Sequence, residues 1–152
     1  MHATDVDEPL DPELLKPLQG PPPPTLAEAL GLTEELGEAI LAIAVAELEA
    51  GRVEAARTIL EGLVAANPRD PDGWILLARV QRALRQPLAA RFCAEVAARL
   101  APEAPAALLA RAEGLLPFES ERPAALGLLR TLSESDGDEA ERARALITAI
   151  GG

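Results

Sequence analysis

The sequence predicts an all-α fold, a stack of helix–turn–helix units, and three observations carry that reading. The chain matches itself at an offset of 34 residues: Pro68 with Pro102, Pro71 with Pro105, and Ala55-Ala56-Arg57 with Ala89-Ala90-Arg91. A fixed period of that length is the mark of a repeat array rather than of a single irregular core. Helix-start signals fall where such units should begin, at Thr25, Thr33 and Asp70-Pro71. Small residues also recur at matched places, Ala44 with Ala78 and Ala56 with Ala90, where antiparallel helices must approach closely.

The elements follow in order. Residues 1–24 hold Pro9, Pro12, Pro17 and the run Pro21–Pro24, which favours extended chain and blocks helix. We expect this segment to be a disordered acidic arm, with a repeat domain over 25–152. Thr25 and Glu28 make a T-x-x-E capping box, in which hydroxyl and carboxylate satisfy free amides reciprocally. That predicts a short helix broken near Gly31. Thr33 then caps a helix running to about Ala50, with Glu34 and Glu35 set against the positive end of its dipole.

Taking Pro68, Pro102 and Asp136 as equivalent gives units at 37–70, 71–104 and 105–138, turning near Gly51, Arg85–Gln86 and Pro117–Glu121. Asp70 can cap the second unit, with Pro71 at the first helical position, where its missing N–H costs nothing. A helix over about 139–150, capped by Asp138, would cover the end of the stack.

Position by position this pattern resembles the tetratricopeptide repeat. The first unit offers Ile40, Ile43, Ala44, Gly51, Ala56, Leu63 and Pro68 at that motif's places. The second offers Trp74, Leu77, Ala78, Ala90, Ala97 and Pro102, with Arg85 replacing glycine. The third is degenerate: Leu108, Ala112 and Ala124 fit, while Arg111, Glu119, Thr131 and Asp136 do not. The fold expected is therefore a superhelix of about three repeats with an N-terminal helix and a C-terminal capping helix.

Composition narrows function. The chain carries 14 basic and 25 acidic side chains, a net charge of −11, with one Lys, one His and one Cys. That balance opposes phosphate-backbone binding, which needs a basic face, so no nucleic-acid partner is expected. His2 and Cys93 lie too far apart in sequence to suggest a zinc site or a Cys–His nucleophile pair. No metal, cofactor or catalytic residue is expected, and the protein reads as no enzyme. The acidic N-terminus lacks the basic, apolar pattern of an export signal, and the longest apolar run, Ala39–Ala46, is far short of a bilayer span. A cytoplasmic protein with no membrane partner is the expectation.

First helices of such a stack line its concave side. Counting from each unit's start, Leu41, Val45 and Leu48, then Ile75, Arg79 and Arg82, then Leu109 and Glu113 form the candidate peptide-binding groove. Their i, i+3, i+4, i+7 spacing places each set on one helix face. An aliphatic groove with arginines at its centre suits a client protein with an exposed apolar segment; the same leucines could instead be core. The terminal-carboxylate clamp of some tetratricopeptide adaptors needs Lys and Asn where this chain has Leu41, Val45, Ile75 and Arg79. The acids of the arm, with Leu10, Leu14, Leu15 and Leu18, could also fold onto Arg79 and Arg82. Cys93 reads as a small buried hydrophobe, Trp74 as a packing residue, and Ser133–Asp138 fails as a calcium loop because Leu132 and Ala143 would hold ligand positions.

From Leu26 to Pro105 the chain resembles the class II chaperones of bacterial type III secretion. The residues are Leu26–Glu35 leading into the first unit, Gly51-Arg52-Val53-Glu54-Ala55-Ala56 at its turn, and Asn67–Trp74 entering the second. The resemblance implies an all-helical cytoplasmic chaperone, often dimeric through its N-terminal helices, that keeps a translocator soluble by holding a segment of it in the groove. This chain departs from it in having no Tyr and in its acidic proline-rich leader. A general tetratricopeptide adaptor, scaffolding an unrelated cytoplasmic complex, is the alternative.

Overall fold

The computed structural model describes residues 21–151, so the arm expected over 1–24 lies outside it except for Pro21–Pro24, which are exposed and carry no regular structure. Eight α-helices are described: α1 (Leu26–Ala29), α2 (Glu34–Glu49), α3 (Val53–Ala66), α4 (Pro71–Ala83), α5 (Pro87–Leu100), α6 (Pro105–Leu115), α7 (Arg122–Ser133) and α8 (Asp138–Gly151). A 3-10 turn, Glu119–Glu121, precedes α7.

Local chemistry sets the helix starts. The Thr25 hydroxyl accepts from the Glu28 amide at 3.1 Å, and Glu28 Oε2 accepts from the Thr25 amide at 2.7 Å, closing the capping box. Thr33 caps α2 by accepting from the Leu36 amide, and Asp70 caps α4 by accepting from the Asp72 amide. Pro71, Pro87 and Pro105 each stand in a helix's first turn, where proline removes no intrahelical bond. The α2–α3 turn puts Gly51 at φ +79°; the equivalent α4–α5 turn puts Arg85 at φ +58°.

Helices pack in sequence, each against the next from α2 to α8. The first helices of successive units also touch one another, α2 with α4, α4 with α6 and α6 with α8. They form an inner layer, and α3, α5 and α7 lie outside it, which is the geometry of a curving stack. One core cluster runs from Ala44 through Ala56, Leu60, Leu77, Val80 and Cys93 to Ala110, with Trp74 packed against it. A second joins Ala112, Leu129, Leu132 and Ala143. The Trp74 indole N–H donates to the Pro68 carbonyl at 2.8 Å, and its ring meets Phe92 edge-on at 6.1 Å.

The third unit corrects one reading. Ala124, expected at the close helix contact, is exposed, and Ala125 is buried in its place. Likewise Leu132, not Thr131, is buried. Helix α6 ends at Leu115, two residues short of the 34-residue count, and the longer segment containing the 3-10 turn starts α7 at Arg122, one residue beyond that count. Ile43 also differs from a repeat-core residue, being 55% exposed, because no second helix of a preceding unit covers α2 there. The last helix begins at Asp138 itself, one residue earlier than expected.

Candidate peptide-binding groove

Two adjoining cavities open at the inner layer, the second of them bounded also by the α4–α5 turn and α5. The first, of about 500 Å³, is lined by Ile75, Ala78, Arg79 and Arg82 of α4, Ala106, Leu109, Ala110 and Glu113 of α6, and Glu139 and Arg142 of α8. Five of the eight expected groove residues therefore meet around a single space: Ile75, Arg79, Arg82, Leu109 and Glu113. They do so because each set keeps an i, i+4, i+7 register on its helix, Ile75, Arg79 and Arg82 on α4 and Leu109 and Glu113 on α6, which holds it on one face. Leu41 lines a separate cavity of about 390 Å³ between α1, α2 and the α3–α4 turn. Leu48, like Leu41 and Ile75, packs against the first core cluster. Val45 is half-buried and, like Leu48, lines neither space.

Glu113 is the electrostatic centre. Its carboxylate pairs with Arg82 through one oxygen and accepts from Arg142 Nε through the other at 2.9 Å. Only 13% of the Glu113 side chain is exposed, against 29% for Arg82. Burial, and the cations Arg142 and Arg79 nearby, hold the Arg82 guanidinium below its ordinary pKa; it is charged at neutral pH regardless. The three-residue bridge spans α4, α6 and α8, which fixes the spacing of the inner layer.

Arg142 and Glu139 were not anticipated. The signal was present, because Glu139, Arg142 and Leu146 repeat the spacing of Asp72, Ile75 and Arg79. Helix α8 thus behaves at the groove as the first helix of a fourth unit. The surface is half aliphatic and half charged, with Arg79, Arg82 and Arg142 against Glu113 and Glu139, and its lining offers no nucleophile–base pair. Cys93 is buried away from it in α5, and burial pushes its thiol up to about 11, so almost none is thiolate at neutral pH. Among the described residues, no group of three His, Cys, Asp or Glu could hold a metal ion, and no helix is long and apolar enough to cross a membrane.

Comparison with known proteins bears first on the fold. Residues 37–80 match the tetratricopeptide repeat family, and helix pairing over the described residues makes the whole a tetratricopeptide-type superhelix. No curated protein matches the sequence. Solved structures match closely in shape. The type III secretion translocator chaperone SycD of Yersinia enterocolitica is 19% identical, with a TM-score of 0.71 over 84% of this chain and 99% of that chain. A chain of a type III secretion complex from Aeromonas hydrophila is 19% identical, with a TM-score of 0.72 over 93% of this chain and 96% of that one. SycD in complex with a peptide of the translocator YopD is 20% identical, with a TM-score of 0.64 over 79% and 95%. The fold is the one these chains share.

Proposed function

We propose that this protein is a non-enzymatic cytoplasmic chaperone that holds an apolar or amphipathic segment of a client protein, a type III secretion translocator, in its concave groove. The observation that carries the reading is the cavity between α4, α6 and α8, where Ile75 and Leu109 stand beside Arg79 and the Glu113 bridge. Apolar walls supply binding free energy through burial, and the fixed charges set the direction and register of the bound chain. The likeness in shape to SycD, which was solved with a translocator peptide, supports the client class. The groove residues of the reading are Leu41, Val45, Leu48, Ile75, Arg79, Arg82, Leu109 and Glu113, within a repeat domain over 25–152 that follows an acidic arm.

The same reading includes a homodimer through the N-terminal helices. Leu26, Leu30, Leu36 and Ile43 are 54%, 65%, 44% and 55% exposed at that end of the stack, an apolar concentration that monomers usually cover.

The test is capture of the tagged protein from its native cytoplasm, with Ala106→Arg run beside the wild type. The substitution fills the cavity from a half-exposed helix position, and circular dichroism checks that helix content is unchanged. A hydrophobic export substrate recovered with wild type and lost from Ala106→Arg is the expected result. Partners that are soluble alone and retained by both proteins would instead establish the general tetratricopeptide adaptor.

A further inference from the structure

Beside the first cavity lies a second, of about 470 Å³, that shares Arg82, Glu113 and Arg142 with it. Arg85 joins them there, and Leu116 and Leu146 give the space apolar walls. Three arginines thus line one space with a single carboxylate, on a chain whose net charge is −11. Glu113 is already engaged by Arg82 and Arg142, and Arg85 makes no ion pair among the described residues. The site therefore carries surplus positive charge, with Arg82 half-buried and Arg85 and Arg142 exposed at its rim, and that charge attracts an incoming anion.

Arg85 also occupies the place where the first unit has Gly51, and it does so at φ +58°. Non-glycine side chains avoid that conformation. The chain keeps an arginine where glycine would relax the turn, and the retained side chain lines this cavity.

We propose that the second cavity is a carboxylate-binding subsite, taking an acidic side chain flanked by aliphatic residues in the segment held by the groove. The inference rests on the groove being a peptide site and adds a residue class to what it selects. Guanidinium forks match a carboxylate's two oxygens, and the leucine walls suit aliphatic neighbours better than a free inorganic anion. A client segment would then be read twice, by apolar anchors at Ile75 and Leu109 and by charge at Arg82, Arg85 and Arg142.

The experiment uses the full chain and two fluorescein-labelled synthetic peptides with the same leucine pattern, one carrying three Glu and the other Gln at those positions. Fluorescence anisotropy should show the acidic peptide binding about 10-fold more tightly to wild type. Arg85→Gly, outside the lining of the first cavity, should remove most of that preference and leave the neutral peptide's affinity unchanged. Arg85→Gly should also raise the unfolding midpoint by about 3 °C as the turn relaxes, so a lost preference there is not lost folding.

Equal affinity of wild type for both peptides would overturn the subsite and leave the groove standing. Failure of both peptides to bind would overturn the groove reading as well, which separates the two failures. Displacement of the acidic peptide alone by low-millimolar inorganic phosphate would make the cavity a site for free anions instead. A preference that appears only after removal of residues 1–20 would assign it to the chain's own acidic N-terminal residues, against the proposal.

Discussion

The two ends of this stack solve one packing problem by different means. From α2 to α5 the helices share a continuous apolar core in which Ala44, Ala56, Leu60 and Val80 are wholly buried. Ion pairs there stay local: Arg52 with Glu47 across one turn, and Arg57 with Glu54 and Glu61 within α3. From α6 onward the buried cluster is smaller, and the ion pairs run between elements. Arg111 reaches Glu95, Arg91 reaches Glu121, and Arg82 and Arg142 converge on Glu113. Where repeat-type apolar contacts thin out, charge pairs between helices take over part of the work of orienting them. The two pairs on Glu113 lie along the inner layer, so the polarity of that surface and part of the fold's C-terminal cohesion have one origin.

The largest test of that contrast removes a wholly buried leucine from each end. Leu60 and Leu129 are both 0% exposed, and truncation of either to alanine should cost about 3 kcal/mol by transfer and cavity terms. The regional pattern should differ. In Leu129→Ala, amide hydrogen exchange should lose protection over α7 and α8 first while α2–α5 stay protected, because a stacked array couples mainly neighbours. Leu60→Ala should instead loosen α2–α4. Uniform loss of protection in both variants would show one cooperative core and abolish the distinction.

The same contrast explains what could be read from sequence. The first two units were legible because apolar and small residues recur at a strict 34-residue spacing, and spacing is what a sequence shows directly. In the third unit one added residue before α7 rotates every later position by about 100° around the helix. Counting straight through therefore put Ala124 and Thr131 on the buried face, where Ala125 and Leu132 belong. A shift of one restores the pattern, with Leu129 then matching Ala94 and Leu60. That Ile75, Arg79, Arg82, Leu109 and Glu113 share one cavity was legible on α4 and α6 for the same reason. Arg142 and Glu139 escaped because α8 reads as a cap when viewed as the end of a series, and as a groove wall when its own spacing is compared with Asp72, Ile75 and Arg79. Arg85 escaped because a missing glycine registers as a departure from the motif before it registers as an added side chain.

A middle-sized effect should come from Glu113. Replacing it with glutamine keeps the shape and removes the charge that Arg82 and Arg142 share, leaving two guanidinium groups against a neutral amide. Hydrogen bonds to charged partners in such half-buried settings contribute about 2 kcal/mol, and Glu113→Gln should lose about that much in urea unfolding. The loss should shrink in 1 M NaCl, because salt screens the wild-type pairs and also screens the repulsion left in the variant. A change below about 0.5 kcal/mol would place Glu113 with ordinary surface pairs and deny ion pairs a role in holding α8.

The smallest effect runs in the opposite direction and tests the apolar half at its weakest point. Gln81 is 8% exposed on α4, and its Oε1 has no hydrogen-bond partner. Counted along the repeat, the equivalent of Gln81 in the first unit is Glu47, which is bonded to Arg52. In the third unit the equivalent is Leu115, which is 3% exposed. One motif position is thus served by a paired carboxylate, an unpartnered amide and a leucine, and only the amide leaves a buried oxygen unsatisfied. Gln81→Leu removes that oxygen at similar volume and should stabilise the chain by about 1 kcal/mol, raising the unfolding midpoint by about 3 °C. A lower midpoint would mean that the amide serves a contact the apolar core does not replace. The division would then be less sharp than the ion pairs suggest, with a polar group helping to hold the N-terminal half as well.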